Sequence, residues 1–163
     1  MTESTTGAGD AKVQKAGIRE FHTKDSADTI NVGRALASQL VPPQFLILRG
    51  DLGTGKTTLV KGIAEALDAA EPDEVTSPTF TLVHEYEGTL AGKPVQLYHL
   101  DLYRIETERQ LESIGIDELA TSDAIVLVEW GEKFQSVIAR ANGEILIETT
   151  GGDSRKITVT LNR

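Results

Sequence analysis

Residues Gly50 to Thr57 read Gly-Asp-Leu-Gly-Thr-Gly-Lys-Thr, and this octapeptide restricts the fold around it more than any other stretch. The spacing G-x-x-x-x-G-K-[ST] works only as a loop between a strand and a helix. Glycines let the backbone curl so that successive N–H groups converge on phosphate oxygens, and the following helix adds the positive end of its dipole. The flanks match this requirement. Phe45-Leu46-Ile47-Leu48 is an apolar run of strand length, and Leu59, Val60, Ile63, Ala64 and Leu67 recur at helical spacing after the loop. The expected phosphate cradle is Asp51, Leu52, Gly53, Thr54, Gly55, Lys56, Thr57 and Thr58. Lys56 brings charge to the β- and γ-phosphates, and Thr57 offers a hydroxyl to Mg²⁺.

The remaining sequence predicts one α/β domain over residues 17–163, preceded by an unstructured tail over 1–16 that is rich in Thr, Ser, Gly and Ala. Ile18 to Thr23 reads as an edge strand. Asp25 or Ser26 caps a helix running to about Leu40, stopped by Val41-Pro42-Pro43. Phe80 to Tyr86 and Val95 to Tyr103 read as an antiparallel hairpin, Thr107 to Ile114 as a helix ended by Gly115, and Glu132 to Arg140 as another helix. Ala124 to Val128 is continuously apolar, as a strand buried on both faces must be. Glu144 to Thr149 and Lys156 to Leu161 form a terminal hairpin around Gly151-Gly152-Asp153. The expected architecture is a three-layer P-loop NTPase domain, α/β/α, with a mixed, partly parallel sheet built around strands 45–49 and 124–128.

A net charge of −9 argues against independent binding to DNA or RNA, which calls for a basic face. With no cysteine there is no disulfide or thiolate metal site, and no apolar run reaches membrane-spanning length; a cytoplasmic protein is the expectation.

Nucleotide chemistry also needs a carboxylate near Mg²⁺ at the end of an apolar strand. Glu129, which ends Ile125-Val126-Leu127-Val128, is the favoured metal ligand. Asp101, which ends Gln96-Leu97-Tyr98-His99-Leu100, is the candidate for positioning water, acting as a base or supporting the metal. His99, Asp101 and Tyr103 alternate and so share a face. Arg104 is either a cation for phosphate or half of a structural pair. Within Ser77-Pro78-Thr79-Phe80, Thr79 is the natural hydroxyl to sense a γ-phosphate, and Ser77 the lesser one. The expected catalytic set is Lys56, Asp101 and Glu129.

Four segments carry a family resemblance. Asp51 to Thr58, Ser77-Pro78-Thr79-Phe80-Thr81-Leu82, His99-Leu100-Asp101-Leu102-Tyr103-Arg104 and Glu129-Trp130-Gly131-Glu132 resemble, in order and spacing, the motifs of the TsaE family over about residues 18–140. The resemblance implies a small bacterial ATPase, using ATP and Mg²⁺, needed for threonylcarbamoyladenosine at position 37 of tRNAs that read codons starting with A. It implies action with TsaD, the transferase, and TsaB, its structural partner, so that tRNA is met through these partners. It also implies that the ATP cycle permits repeated turnover. One position departs from the pattern: Gly131 stands where the family often has proline. The competing readings are a small-molecule P-loop kinase, for which the acidic run Glu106, Glu108, Glu112, Asp117 and Glu118 would make a poor phosphate lid; a GTP switch, for which the tetrapeptide Asn-Lys-x-Asp is missing; and a non-catalytic binding module with a relic P-loop, against which the two acids and intact Lys56 and Thr57 speak.

Overall fold

A computed structural model describes residues 10–15 and 17–162. The described residues form thirteen strands and helices. Strand β1 covers Asp10–Lys15, β2 Ile18–Thr23, helix α1 Ser26–Ala37, β3 Gln44–Arg49, α2 Lys56–Ala66, β4 Val83–Leu90 and β5 Lys93–Asp101. Then come α3 at Glu108–Ile114, α4 at Ile116–Leu119, β6 at Ala124–Glu129, α5 at Gln135–Arg140, β7 at Gly143–Gly151 and β8 at Ser154–Leu161.

All eight strands join one sheet in the order β1-β2-β8-β7-β3-β6-β5-β4. The middle is parallel: β3 lies between β6 and β7, and β5 continues the parallel set beyond β6. Antiparallel hairpins flank it, β4 with β5 and β7 with β8. Side chains alternate across the strands, so each strand of this core feeds two layers. Leu46, Leu48, Leu97, Ile125 and Leu127 pack with α1 and α2, while Phe45, Ile47, Leu100, Val126 and Val128 pack with α3, α4 and α5. Every residue of β6 is buried, as its unbroken apolar run requires. The result is the three-layer α/β/α arrangement with a C-terminal hairpin that the sequence leads one to expect.

Five details differ from the sequence reading. Residues 10–15, placed in the unstructured tail, pair antiparallel with β2. Strand β2 is therefore interior to the sheet, between β1 and β8, rather than an edge. Main-chain pairing needs no apolar side chains, which is why a composition argument misses it. Residues 1–9 and 16 lie outside the described residues. Helix α1 ends at Ala37, and Leu40 is buried from a turn beyond it. The strand expected from Phe80 begins only at Val83, because Leu82 takes a left-handed φ of 71° and Phe80 sits on a turn, 83 % exposed. The helix expected over 132–140 is broken into a 3-10 turn at Gly131–Lys133 and α5, with extended Phe134 between them.

Candidate nucleotide site

The carboxyl ends of β3, β5 and β6 point the same way, and the loops leaving them converge. After β3 comes the phosphate loop. Gly50, Gly53 and Gly55 all have positive φ, from 80° to 157°, which is a conformation that only glycine adopts without strain. Thr54 stabilises the curl: its amide donates to the Asp51 carbonyl at 3.2 Å and its hydroxyl to the same oxygen at 2.9 Å. Helix α2 then starts at Lys56, so its unpaired N-terminal amides face the loop's concavity.

Lys56 is 6 % exposed and already engaged on three sides. Its Nζ donates to the Gly50 carbonyl at 2.6 Å, lies 3.6 Å from Glu129 Oε1 and sits 4.6 Å from the centre of the Trp130 ring. Glu129 is the last residue of β6, and its in-register neighbour on β5 is Asp101. Both carboxylates are buried, at 4 % exposure each. The two candidate acids thus end neighbouring strands side by side, and their surroundings differ. Glu129 faces Lys56. Asp101 has other partners: Oδ2 accepts from the Thr79 hydroxyl at 3.1 Å, and Oδ1 accepts from the Tyr103 amide at 2.9 Å.

Thr79 is therefore joined to the site, and Ser77 behind it, with 2.8 Å between their hydroxyl oxygens. The loop holding them is anchored on β5, since the Leu82 amide donates to the Pro78 carbonyl at 2.7 Å and the Asp101 amide to the Leu82 carbonyl at 3.0 Å. Arg104 packs its guanidinium 5.0 Å from the Phe80 ring centre, and the Tyr103 ring lies tilted at 54° against Trp130 with 5.2 Å between centres. Tyr103 lies past the end of β5, so the expected alternation with His99 and Asp101 stops at Asp101. His99 is fully enclosed and bonded through Nε2 to Glu129 Oε2 at 2.6 Å.

Two supporting residues were beyond sequence reasoning. Arg155 on β8 donates from Nε to the Thr54 carbonyl at 2.6 Å and from its terminal nitrogens to the Gly53, Gly152 and Ser154 carbonyls. It ties the terminal hairpin to the phosphate loop. Lys133 donates to the carbonyls of Leu102, Tyr103 and Ile105 at 3.1, 2.9 and 2.7 Å. This holds the segment after β5 against the segment after β6. Neither residue falls in a motif, and only the topology brings them to their carbonyls. Two clefts flank the loop, one lined by Asp51, Leu52, Trp130, Glu132 and Glu148, the other by Asp25, Thr29, Thr58, Asp153 and Arg155.

The donor set suits a hard cation that keeps its waters. No group of three or more His, Cys, Asp or Glu residues among the described residues forms a closed cage. Mg²⁺ in nucleotide sites takes only one or two protein oxygens and fills the rest of its shell with phosphate and water. Glu129 Oε1, 3.6 Å from the Lys56 ammonium, and the Thr57 hydroxyl at the start of α2 are oxygens of the required kind.

Comparison with known proteins decides the family. A family model described as "Threonylcarbamoyl adenosine biosynthesis protein TsaE" matches residues 23–157. The chain belongs to the TsaE family. Relatives of this TsaE-family chain named "tRNA threonylcarbamoyladenosine biosynthesis protein TsaE" include one from Bacillus subtilis (strain 168), 37% identical over 86% of this chain and 84% of its own length. Others are from Aquifex aeolicus, 41% identical over 71% and 79%, and Treponema pallidum, 34% identical over 84% and 96%. A solved structure, "Crystal structure of Bacillus subtilus YdiB", superposes with a TM-score of 0.64 at 31% identity, covering 90% of this chain and 86% of that one.

Proposed function

We propose that this TsaE-family protein is the ATP-binding and ATP-hydrolysing subunit in threonylcarbamoyladenosine formation on tRNA, working in the cytoplasm with TsaD- and TsaB-like proteins. The observation that carries the proposal is the convergence of Lys56, Glu129, Asp101 and Thr79 at one end of the parallel strands, beside an intact phosphate loop.

In this reading the main chain of residues 51–58 cradles the phosphates of ATP. Lys56 exchanges the Gly50 carbonyl and Glu129 for the β- and γ-phosphate oxygens. Thr57 and Glu129 hold Mg²⁺, which neutralises phosphate charge when bound. Asp101 and Thr79 flank the γ-phosphate, so loss of that group frees the Thr79 loop to change its contacts. Phe80 on that loop, Tyr103 and Leu52 are the large apolar side chains exposed around the site. They are suited to report the nucleotide state to a partner. The tRNA is met through the partners, in keeping with the chain's net charge of −9.

The test is a reconstituted modification reaction with TsaC-, TsaD- and TsaB-like proteins, read by nucleoside mass spectrometry. Multiple-turnover product should require the intact chain and ATP, and Lys56→Ala should abolish it. Equal yield without the chain, or with Lys56→Ala, would overturn the proposal; transfer of labelled phosphate to a metabolite instead of water would point to a kinase.

A further inference from the structure

His99 is a buried imidazole on a strand face that it shares with Val95 and Leu97 of the apolar core and, at the strand's end, with Asp101. Its in-register neighbour on β6 is Leu127, also core. Enclosing a polar ring among aliphatic side chains costs free energy that an apolar residue would not. Only one contact offsets it. Nε2 lies 2.6 Å from Glu129 Oε2, and Nδ1 is buried without any partner. A carboxylate only accepts, so Nε2 carries the hydrogen and the ring's whole polar capacity goes to this one oxygen.

The two oxygens of Glu129 are thereby distinguished. Oε2 is held from below by His99, and Oε1 faces Lys56 at 3.6 Å. When a phosphate recruits the lysine, Oε1 alone becomes available, in an orientation already fixed. A glutamate without this support has three side-chain torsions to order on every binding event.

We propose that His99 is a positioning residue: it locks Glu129 in the orientation that presents Oε1 to Mg²⁺, and so sets the metal dependence of nucleotide binding. The inference rests on the assignment of Glu129 to the metal. His99 touches no nucleotide, so its removal should leave metal-free binding alone.

The experiment compares wild type with His99→Met and His99→Gln, two unbranched replacements of similar reach, of which only glutamine donates a hydrogen bond. ADP binding is measured by calorimetry in EDTA and across a Mg²⁺ titration, with Mn²⁺ electron paramagnetic resonance as an independent view of the bound ion, and circular dichroism confirms folding. His99→Met should bind ADP in EDTA within about twofold of wild type but need about tenfold more Mg²⁺ for half-maximal enhancement, as expected for loss of an outer-shell partner. His99→Gln should recover most of the difference. Adding His99→Met to Glu129→Gln should change nothing further, because the histidine acts only through the carboxylate.

An unchanged Mg²⁺ requirement in His99→Met would overturn the proposal, as would a glutamine variant as impaired as the methionine one. If His99→Met does not fold, His99→Gln decides: a near-native Mg²⁺ requirement upholds the hydrogen bond, and a tenfold shift overturns it. Glu129→Gln separates this inference from its premise. If that variant leaves Mg²⁺ dependence untouched, the assignment of Glu129 fails and the proposal with it. If Glu129→Gln matters and His99→Met does not, only the proposal fails.

Discussion

Among the described residues, Lys61, Lys133 and Arg155 bond main-chain carbonyls instead of carboxylates. Lys61 donates to Pro72 and Val75 at 2.8 Å each, Lys133 to three carbonyls after β5, and Arg155 to the phosphate loop and its own hairpin. Each fixes a loop, and those held by Lys133 and Arg155 border the nucleotide site. A carbonyl facing into a turn has no ladder partner, and an ammonium or guanidinium satisfies several at once with charge-assisted bonds of about 1.5–3 kcal/mol each. For Arg155 this gives a specific outcome. Arg155→Met should leave the sheet intact but weaken ADP affinity about tenfold, at the low end of that range. Arg155→Lys should not restore it, because an ammonium cannot spread over the fork of acceptors that the guanidinium serves. Isothermal titration calorimetry of the two variants checks both statements.

At the scale of elements, α1 and α2 meet backbone against backbone. Gly33 lies against the Leu59 carbonyl and Gly62 against the Ile30 carbonyl, with no space for a Cβ at either. Glycine normally weakens a helix by about 1 kcal/mol relative to alanine, so these two would be improved by substitution if propensity ruled. Close approach reverses the sign. Gly62→Ala should destabilise the fold by about 2 kcal/mol or more, through backbone displacement, and lower the urea midpoint with an unchanged slope. A rise in the midpoint would mean that the helices separate freely. The same pair shows what was legible. Gly33 is recognisable as inward-facing from its place on the apolar stripe of α1, whereas Gly62 reads only as a weak point in α2, since its neighbour comes from another element. The site divides likewise. Motif spacing identifies Lys56, Glu129, Asp101 and Thr79, because strand ends and loops place them. It cannot show that Asp101 turns to Thr79 while Glu129 turns to Lys56 and His99. Those choices depend on sheet register, which the residues on one strand do not reveal. Phe80 illustrates the opposite failure. Its β propensity suggests a strand, but the turn from Pro78 to Leu82 holds it outside.

The molecule as a whole is a mixed sheet whose two kinds of pairing differ greatly in sequence distance. The hairpins β4–β5 and β7–β8 are local. The parallel centre is not: Leu46 pairs with Leu127 on one side and with Gly143 on the other. Closing such long loops costs chain entropy before any contact offsets it, so distant parallel pairing is intrinsically slow. Each part of the nucleotide site depends on that centre. The phosphate loop leaves β3, Glu129 ends β6, and Arg155 reaches the loop from a hairpin docked through β7. Refolding from urea should therefore show hairpin and helix signals before ADP binding, with binding recovering in the slowest phase in a stopped-flow experiment; binding that returned with the first phase would refute this order. The consequence is a form of quality control written into the topology. A chain that has folded only its local parts presents no phosphate site, so ATP becomes a ligand only for molecules whose longest-range pairings are complete, and its binding energy is added to the finished state alone.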